Sequence, residues 1–339
     1  ALGNITVKAT GGSQGSTYMG KGQLSGAAAA YGLEVKHDLT INAQKITVES
    51  SSIAQDEDIV DTGSGKRKDV LAVGLQIDSG NVKFSGTGGI EIDAQNEYYS
   101  RSFRGDIKMA DIKDALLSDG GDTEAYGIRI AGGQADIVLG GNLAFKNANN
   151  GTNYLYVGYN KSVGAAATTG KAADGGNGGA TTAYGVEISG GLAHLELQDI
   201  ESLVVNSNYF AGGCGGTGQS IEKQAGQEAI AAMGGLGGQM KFAGVHTTGG
   251  KTDGRIGKIT MGGTGGNGGV GGEGKSSIGG SGGNGGDAYT AGISAAGGEL
   301  ELEVAGMDIS VYGGDGGSIG LMTKSTENVA ATGKVQATG

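Results

Sequence analysis

The chain has 339 residues, of which 75 are glycine, none is proline or tryptophan, and 5% are aromatic. Glycine loses the most backbone freedom on folding, so this composition excludes one thick globular core and suits an elongated stack with a thin column of small and β-branched side chains. The formal net charge of -11 opposes binding to nucleic acid or to an anionic membrane surface, and no apolar stretch reaches the roughly 20 residues of a helical membrane span.

In chain order, the first element is the alternating run Asn4-Ile5-Thr6-Val7-Lys8-Ala9-Thr10, closed by Gly11-Gly12. A phrase then appears as Ala30-Tyr31-Gly32-Leu33-Glu34-Val35 and returns as Ala72-Val73-Gly74-Leu75-Gln76-Ile77, Ala125-Tyr126-Gly127-Ile128-Arg129-Ile130 and Ala183-Tyr184-Gly185-Val186-Glu187-Ile188. Worn copies are read at Ala231-Ala232-Met233-Gly234, at Thr290-Ala291-Gly292-Ile293 and at Ile319-Gly320-Leu321-Met322. Each clear copy leads to a second alternating run, such as Asn81-Val82-Lys83-Phe84 or His194-Leu195-Glu196-Leu197. A third run follows, such as Gly89-Ile90-Glu91-Ile92 or Asp308-Ile309-Ser310-Val311. Alternation of apolar and polar residues predicts strands with one buried face, and the Gly, Asn, Asp and Ser between them suit tight corners.

One unit is therefore strand A, strand B, strand C and a loop, the rung of a parallel β-helix whose like strands stack at about 4.8 Å. The whole chain, 1–339, reads as one all-β solenoid domain. Tyr31, Tyr126 and Tyr184 are expected to stack if they share one rung position. The glycines after them, Gly32, Gly74, Gly127 and Gly185 with Gly292, need either a positive φ at a corner or a close backbone approach. Insertions after strand C are placed at about 50–69, 96–122, 147–182, 206–228 and 245–287, all projecting from one side. Within them, Met109, Ile112 and Leu116 have helical spacing. Several insertions repeat Gly-Gly-x, as in Gly175-Gly176-Asn177-Gly178-Gly179. This period of three fits packed, polyglycine-II-like extended helices as well as flexible linkers.

Chemical motifs are sparse. Gly269 to Ser276 matches a phosphate-binding loop literally, but no helix can start in the glycine that follows. Gly282 to Thr290 fits one calcium-binding nonapeptide, so Asp287 is a candidate calcium ligand, without the tandem copies such sites share. Asp56, Glu57 and Asp58 form a second candidate cation cluster. Arg104-Gly105-Asp106 is an integrin-type tripeptide, and Asn4, Asn150 and Asn160 head glycosylation sequons. His37, His194 and His246 lack metal-ligand spacing, Cys214 has no intrachain partner, and Gln76 and Arg129 separate Glu34 from Glu187 in what would be an acidic ladder. The chain is not expected to be an enzyme. A glycan-active β-helix is the lesser alternative.

The Ala-Tyr-Gly-(Ile/Val)-x-(Ile/Val) phrase, followed by Gly-Gly and alternating strands, resembles the passenger region of bacterial autotransporters and related β-helical adhesins. The Gly-Gly-x tracts look like the glycine-rich repeats of mycobacterial surface proteins. The resemblance implies a secreted, surface-displayed, right-handed β-helix with structural or adhesive roles, and departs from the pattern in lacking a C-terminal membrane barrel. Asn4, Ile5, Thr6 and Val7 read as a strand C without its A and B. Met322 and Lys334, Val335, Gln336 read as a strand A and a strand B without their C. Two expectations follow: head-to-tail self-assembly into a fibre, or membership of a longer tandem chain. An adhesin binding a host receptor or glycan is the third.

Overall fold

The computed structural model describes residues 2–11, 27–56, 69–100, 120–146, 174–203, 210–211, 221–222, 233–265, 267–268, 274–275, 280–318 and 322–323. Its strands are β1 (Ile5–Thr10), β2 (Ala28–Val35), β3 (Leu39–Ala43), β4 (Ile46–Asp56), β5 (Val70–Ile77), β6 (Asn81–Gly86), β7 (Ile90–Ser100), β8 (Thr123–Ile130), β9 (Gln134–Leu139) and β10 (Leu143–Lys146). They continue with β11 (Thr181–Ile188), β12 (Leu192–Leu197), β13 (Ile200–Leu203), β14 (Phe210–Ala211), β15 (Ile221–Glu222), β16 (Met240–Thr264), β17 (Gly274–Lys275), β18 (Ala288–Tyr312) and β19 (Met322–Thr323).

The described fold is all-β, parallel and solenoid-like. Ladder A runs β2, β5, β8, β11, β16, β18. Ladder B runs β3, β6, β9, β12, β16, β18. Ladder C runs β1, β4, β7, β10, β13, β16, β18. The long strands β16 and β18 each pass through all three ladders, which joins them into one system.

Alternation places every second residue inside. Ile77, Ile130 and Ile188 from ladder A, Ile137 and Leu195 from ladder B, and Ile46, Ile90 and Ile200 from ladder C are all fully buried. Phe145 of ladder C and Phe242 of ladder A meet edge to face across the interior at 5.4 Å. Burying such a side chain contributes about 1.5–3 kcal/mol, so each added rung stabilises the stack with only a handful of aliphatic groups.

The recurring glycine of strand A is explained by close approach. A Cβ on Gly74 would stand 2.5 Å from the Gly127 carbonyl oxygen and 2.5 Å from Ile90 Cγ2. None of these glycines has positive φ. That conformation belongs instead to the A-to-B corner, at Gly80, Gly133, Gly191, Gly250 and Gly298. Both reasons anticipated from sequence are thus real, but they act on different glycines.

Three sequence readings are corrected. The fifth copy of the phrase is Phe242-Ala243-Gly244-Val245-His246-Thr247, in register with Ala183 to Ile188, and Met233-Gly234 lies in the glycine tract before it. The insertion placed at 245–287 therefore contains most of a rung, with strand B at Lys251 and strand C at Ile259. This rung was obscured because Thr247 and Thr252, 2% and 1% exposed, and Gly254 take inward positions held elsewhere by aliphatic residues. Met322 is not in ladder A: β19 pairs with β17, and β17 with β15, in a separate small sheet. The helical spacing at Met109, Ile112 and Leu116 lies outside the described residues.

Gly127→Ala is expected to lose about 2–3 kcal/mol in chemical denaturation, because its Cβ would meet Leu143 Cδ2 at 2.5 Å and Gly185 O at 2.6 Å. Gly306→Ala, whose Cβ would meet only Lys258 Cγ at 3.7 Å, is expected to change stability by less than about 0.5 kcal/mol.

Candidate functional site

The most distinctive surfaces are the two ends of the ladders. β18 pairs with β16 on one side, and among the described residues no strand continues ladders A, B or C beyond it. Its inward residues Ile293, Leu302, Val304 and Ile309 are only partly buried, and Met307 and Val311 are 51% and 45% exposed. At the opposite end Ile5, Val7, Leu33, Leu39 and Ile41 are likewise only partly buried. The same inward positions one or two rungs away are sealed, so the difference comes from a missing neighbour and not from composition.

Charge distinguishes the ends. Residues 288–318 contain Glu299, Glu301, Glu303, Asp308 and Asp315 and no lysine or arginine. Three ion pairs fasten this rung to β16: Lys251–Glu299 at 3.1 Å, Arg255–Glu303 at 3.0 Å and Lys258–Asp308 at 3.4 Å. At the other end Lys8 pairs with Glu49 at 2.7 Å and Lys36 with Glu34 at 2.8 Å. All are solvent-exposed, so each adds little stability singly.

Beside the ladders, the Gly-Gly-x tracts hydrogen-bond to one another at every third residue. Gly175 and Gly178 donate to the Met233 and Leu236 carbonyls at 2.9 and 2.8 Å. Gly234 and Gly237 donate to Ser281 and Asn284 at 2.9 and 2.8 Å, and Gly314 and Gly317 donate to Gly286 and Gly283 at 3.0 and 2.7 Å. Gly265 and Gly268 donate to Tyr312 and Asp315 at 2.9 and 2.8 Å. The x residues add a second set. The Met233 and Leu236 amides donate to the side chains of Asp174 and Asn177 at 3.0 Å, and the Asp315 amide to that of Asn267 at 2.9 Å. These described tracts are therefore packed elements, with glycine needed because any Cβ would strike the next tract's backbone.

The outer face of ladder B carries a shallow trough of about 400 Å³ between two side-chain columns. One column holds Asn81, Gln134, Leu192 and Lys251, and the other Lys83, Asp136, His194 and Asp253. His194 Nδ1 bonds the Asp253 carboxylate and Nε2 lies 3.7 Å from Glu196. The hydrogen bond to Asp253 raises the imidazole above its ordinary 6.5, with Asp136 and Glu196 acting in the same direction.

On ladder A, the Tyr126 and Tyr184 rings meet at 5.9 Å and Tyr184 stacks on His246 at 4.4 Å. Tyr31 is separated from them because Val73 takes the intervening place. Arg129 sits 4.7 Å over the Tyr126 ring and pairs with Glu187 at 2.6 Å, while the Tyr126 hydroxyl donates to Glu124 at 2.9 Å. Burial, then the nearby carboxylates, pushes this phenol far above its usual range, so it acts as a neutral packing group. On ladder C, burial works to raise the Glu91 carboxyl, but the ammonium groups of Lys146 and Lys45 bring it below the ordinary value.

The expected site residues fare unevenly. Asn4 precedes β1, and Ile5, Thr6 and Val7 pair with Ile46, Thr47 and Val48 as a strand C should. Glu34, Gln76, Arg129 and Glu187 share one column, so the two acids do not adjoin. Asp287 ends a glycine tract, where its carbonyl accepts from the Met240 amide at 2.9 Å. Among the described residues no group of three or more His, Cys, Asp or Glu side chains is placed to hold a metal ion. Lys275 of the phosphate-loop match lies in β17, a strand and not a helix start. Asp56 ends β4. Glu57, Asp58, Arg104, Gly105, Asp106, Cys214, Lys334, Val335 and Gln336 lie outside the described residues. The ion pairs of Lys251, Arg255 and Lys258 were not foreseen, because their rung had been read as an insertion.

No known family, curated protein or solved structure matches the chain.

In an NMR titration, His194 is expected to titrate above 6.5, and Asp253→Asn to return it towards that value. Since the folded value is raised, the contribution to stability is fully present below the unfolded pKa and is lost as pH rises through the folded one. Half-exposed groups limit it to about 1 kcal/mol or less.

Proposed function

We propose that this chain is a structural β-solenoid, coiled as a right-handed parallel β-helix and displayed outside the cell, that stacks end to end into a fibre or surface matrix. The observation that carries the reading is the open edge of β18. Its three ladder segments have hydrogen-bonding partners on one side, and its inward aliphatic residues stay partly exposed. Repeat stacks need capping units, and unpaired edges recruit further strands. A right-handed path is the one parallel crossovers overwhelmingly take. The glycine tracts, bonded at every third residue, fit a polyglycine-II-like lattice that stiffens one flank of the column. Placement at the cell surface rests on the autotransporter-like rung phrase.

A second reading is favoured by one observation. The trough on ladder B, with amides, carboxylates, an imidazole and the exposed Leu192 running along the axis, suits a polar linear ligand such as a glycan of a host surface.

Electron microscopy of purified protein tests the fibre. Filaments assembled from separable 33.3 kDa chains are expected, whereas monodisperse single chains at high concentration would overturn the reading. Met307→Lys, at a position 51% exposed on the β18 edge, is expected to abolish filaments while leaving the circular dichroism spectrum and melting temperature of the single chain nearly unchanged.

A further inference from the structure

Stacking of identical copies requires each copy to add the same number of strands to every ladder. Among the described residues, ladders A and B hold six strands each and ladder C holds seven, β1 being the extra one. Seating a second copy's β1 on the ladder C part of β18 therefore leaves one empty step of about 4.8 Å above ladders A and B. Seating its β2 and β3 directly on β18 would instead drive β1 into the level β18 already occupies. Direct contact has an electrostatic fault as well. Asp38, Asn81, Gln134, Leu192, Lys251 and Glu299 occupy one column, so Glu299 would face Asp38 of the next copy.

We infer that Lys334–Gly339 supplies the missing strand B at each junction of the stack. This inference rests on the stacking reading above. Strand B follows the positive-φ corner glycine in Gly80-Asn81-Val82-Lys83-Phe84-Ser85-Gly86 and in Gly298-Glu299-Leu300-Glu301-Leu302. Gly333-Lys334-Val335-Gln336-Ala337-Thr338-Gly339 repeats this order, with a glycine at both the Gly80 and the Gly86 positions. In that register Lys334 falls between Glu299 below and Asp38 of the next copy above, converting a like-charge opposition into an alternating column. Val335 falls between Leu300 and Leu39, and Ala337 between Leu302 and Ile41, which are inward positions partly buried or flanking the open edge. The residues before Gly333 do not fit strand A, since Glu327 and Asn328 fall where other rungs carry the close-approach glycine and an inward aliphatic. The inference is confined to strand B.

Disulfide trapping in the full chain, with Cys214→Ser removing the native thiol, tests it. Gln336→Cys with Glu301→Cys is in register, whereas Gln336→Cys with Glu299→Cys is displaced by two residues, beyond the usual Cα separation of a disulfide. The in-register pair is expected to cross-link under assembling conditions at least tenfold faster than the displaced pair. Lys334→Glu is expected to raise the critical concentration for filaments by about tenfold or more, and Lys334→Arg to leave it unchanged. Filaments without the in-register cross-link, or undiminished by Lys334→Glu, would overturn this inference and leave stacking standing. Cross-linking without filaments would support the strand and overturn stacking.

Discussion

The structure depends on how closely strand A approaches strand C at one glycine per rung. Where Gly32, Gly74, Gly127, Gly185, Gly244 and Gly292 sit, a single added carbon would collide with the backbone of the next rung or with an aliphatic side chain of strand C. This sets the width of the interior. A column that thin is filled by one or two Ile, Leu or Phe side chains per rung, which is why a chain so poor in aromatics still seals its middle rungs. It also makes each rung dependent on the one after it, since the oxygen that excludes a Cβ on Gly74 belongs to Gly127 and the one that excludes it on Gly127 belongs to Gly185.

The same principle is repeated outside the column with a different period. In the ladders, hydrogen bonds satisfy the backbone at a repeat of two. In the Gly-Gly-x tracts, bonds recur every third residue between neighbouring tracts, and the third residue contributes its side chain through Asp174, Asn177 and Asn267. A tract without side chains has no apolar surface to bury, so its order must come from hydrogen bonds to neighbours held at the right spacing. The ladders provide that spacing, because the tracts at 174–180, 233–239 and 280–287 each lead directly into β11, β16 and β18.

Much of this was legible in the sequence, for identifiable reasons. The phrase around Tyr126 and Tyr184 survives because the close-approach glycine and the inward aliphatics are both obligatory there. The rung at Met240–Thr264 did not stand out, because Phe242, Thr247, Thr252 and Gly254 satisfy the same positions with residues that break the alternation of Ile and Val. Contacts between rungs were harder still. Lys8 and Glu49 are separated by 41 residues, and His194 and Asp253 by 59, distances set by insertions of unequal length. Without the register, no spacing rule links such pairs. The tyrosine stack was half foreseen: Tyr126 and Tyr184 meet, and only the register shows that Val73 isolates Tyr31.

In-register stacking also explains the placement of charge. Any outward column brings successive side chains to about 4.8 Å, so a column of one sign would oppose assembly of the stack. The chain alternates instead. Lys83, Asp136, His194 and Asp253 follow one another in one column, and Glu196, Arg255 and Glu303 in the next. Alternation leaves the last rung with a single sign, because its acids are already matched to Lys251, Arg255 and Lys258 from below and have no described neighbour above. The end that β18 presents is thus both partly apolar inside and acidic outside. A surface of that kind is satisfied by a parallel strand carrying aliphatic residues inward and a cation outward, and a flat or purely hydrophobic partner would bury its carboxylates unpaired.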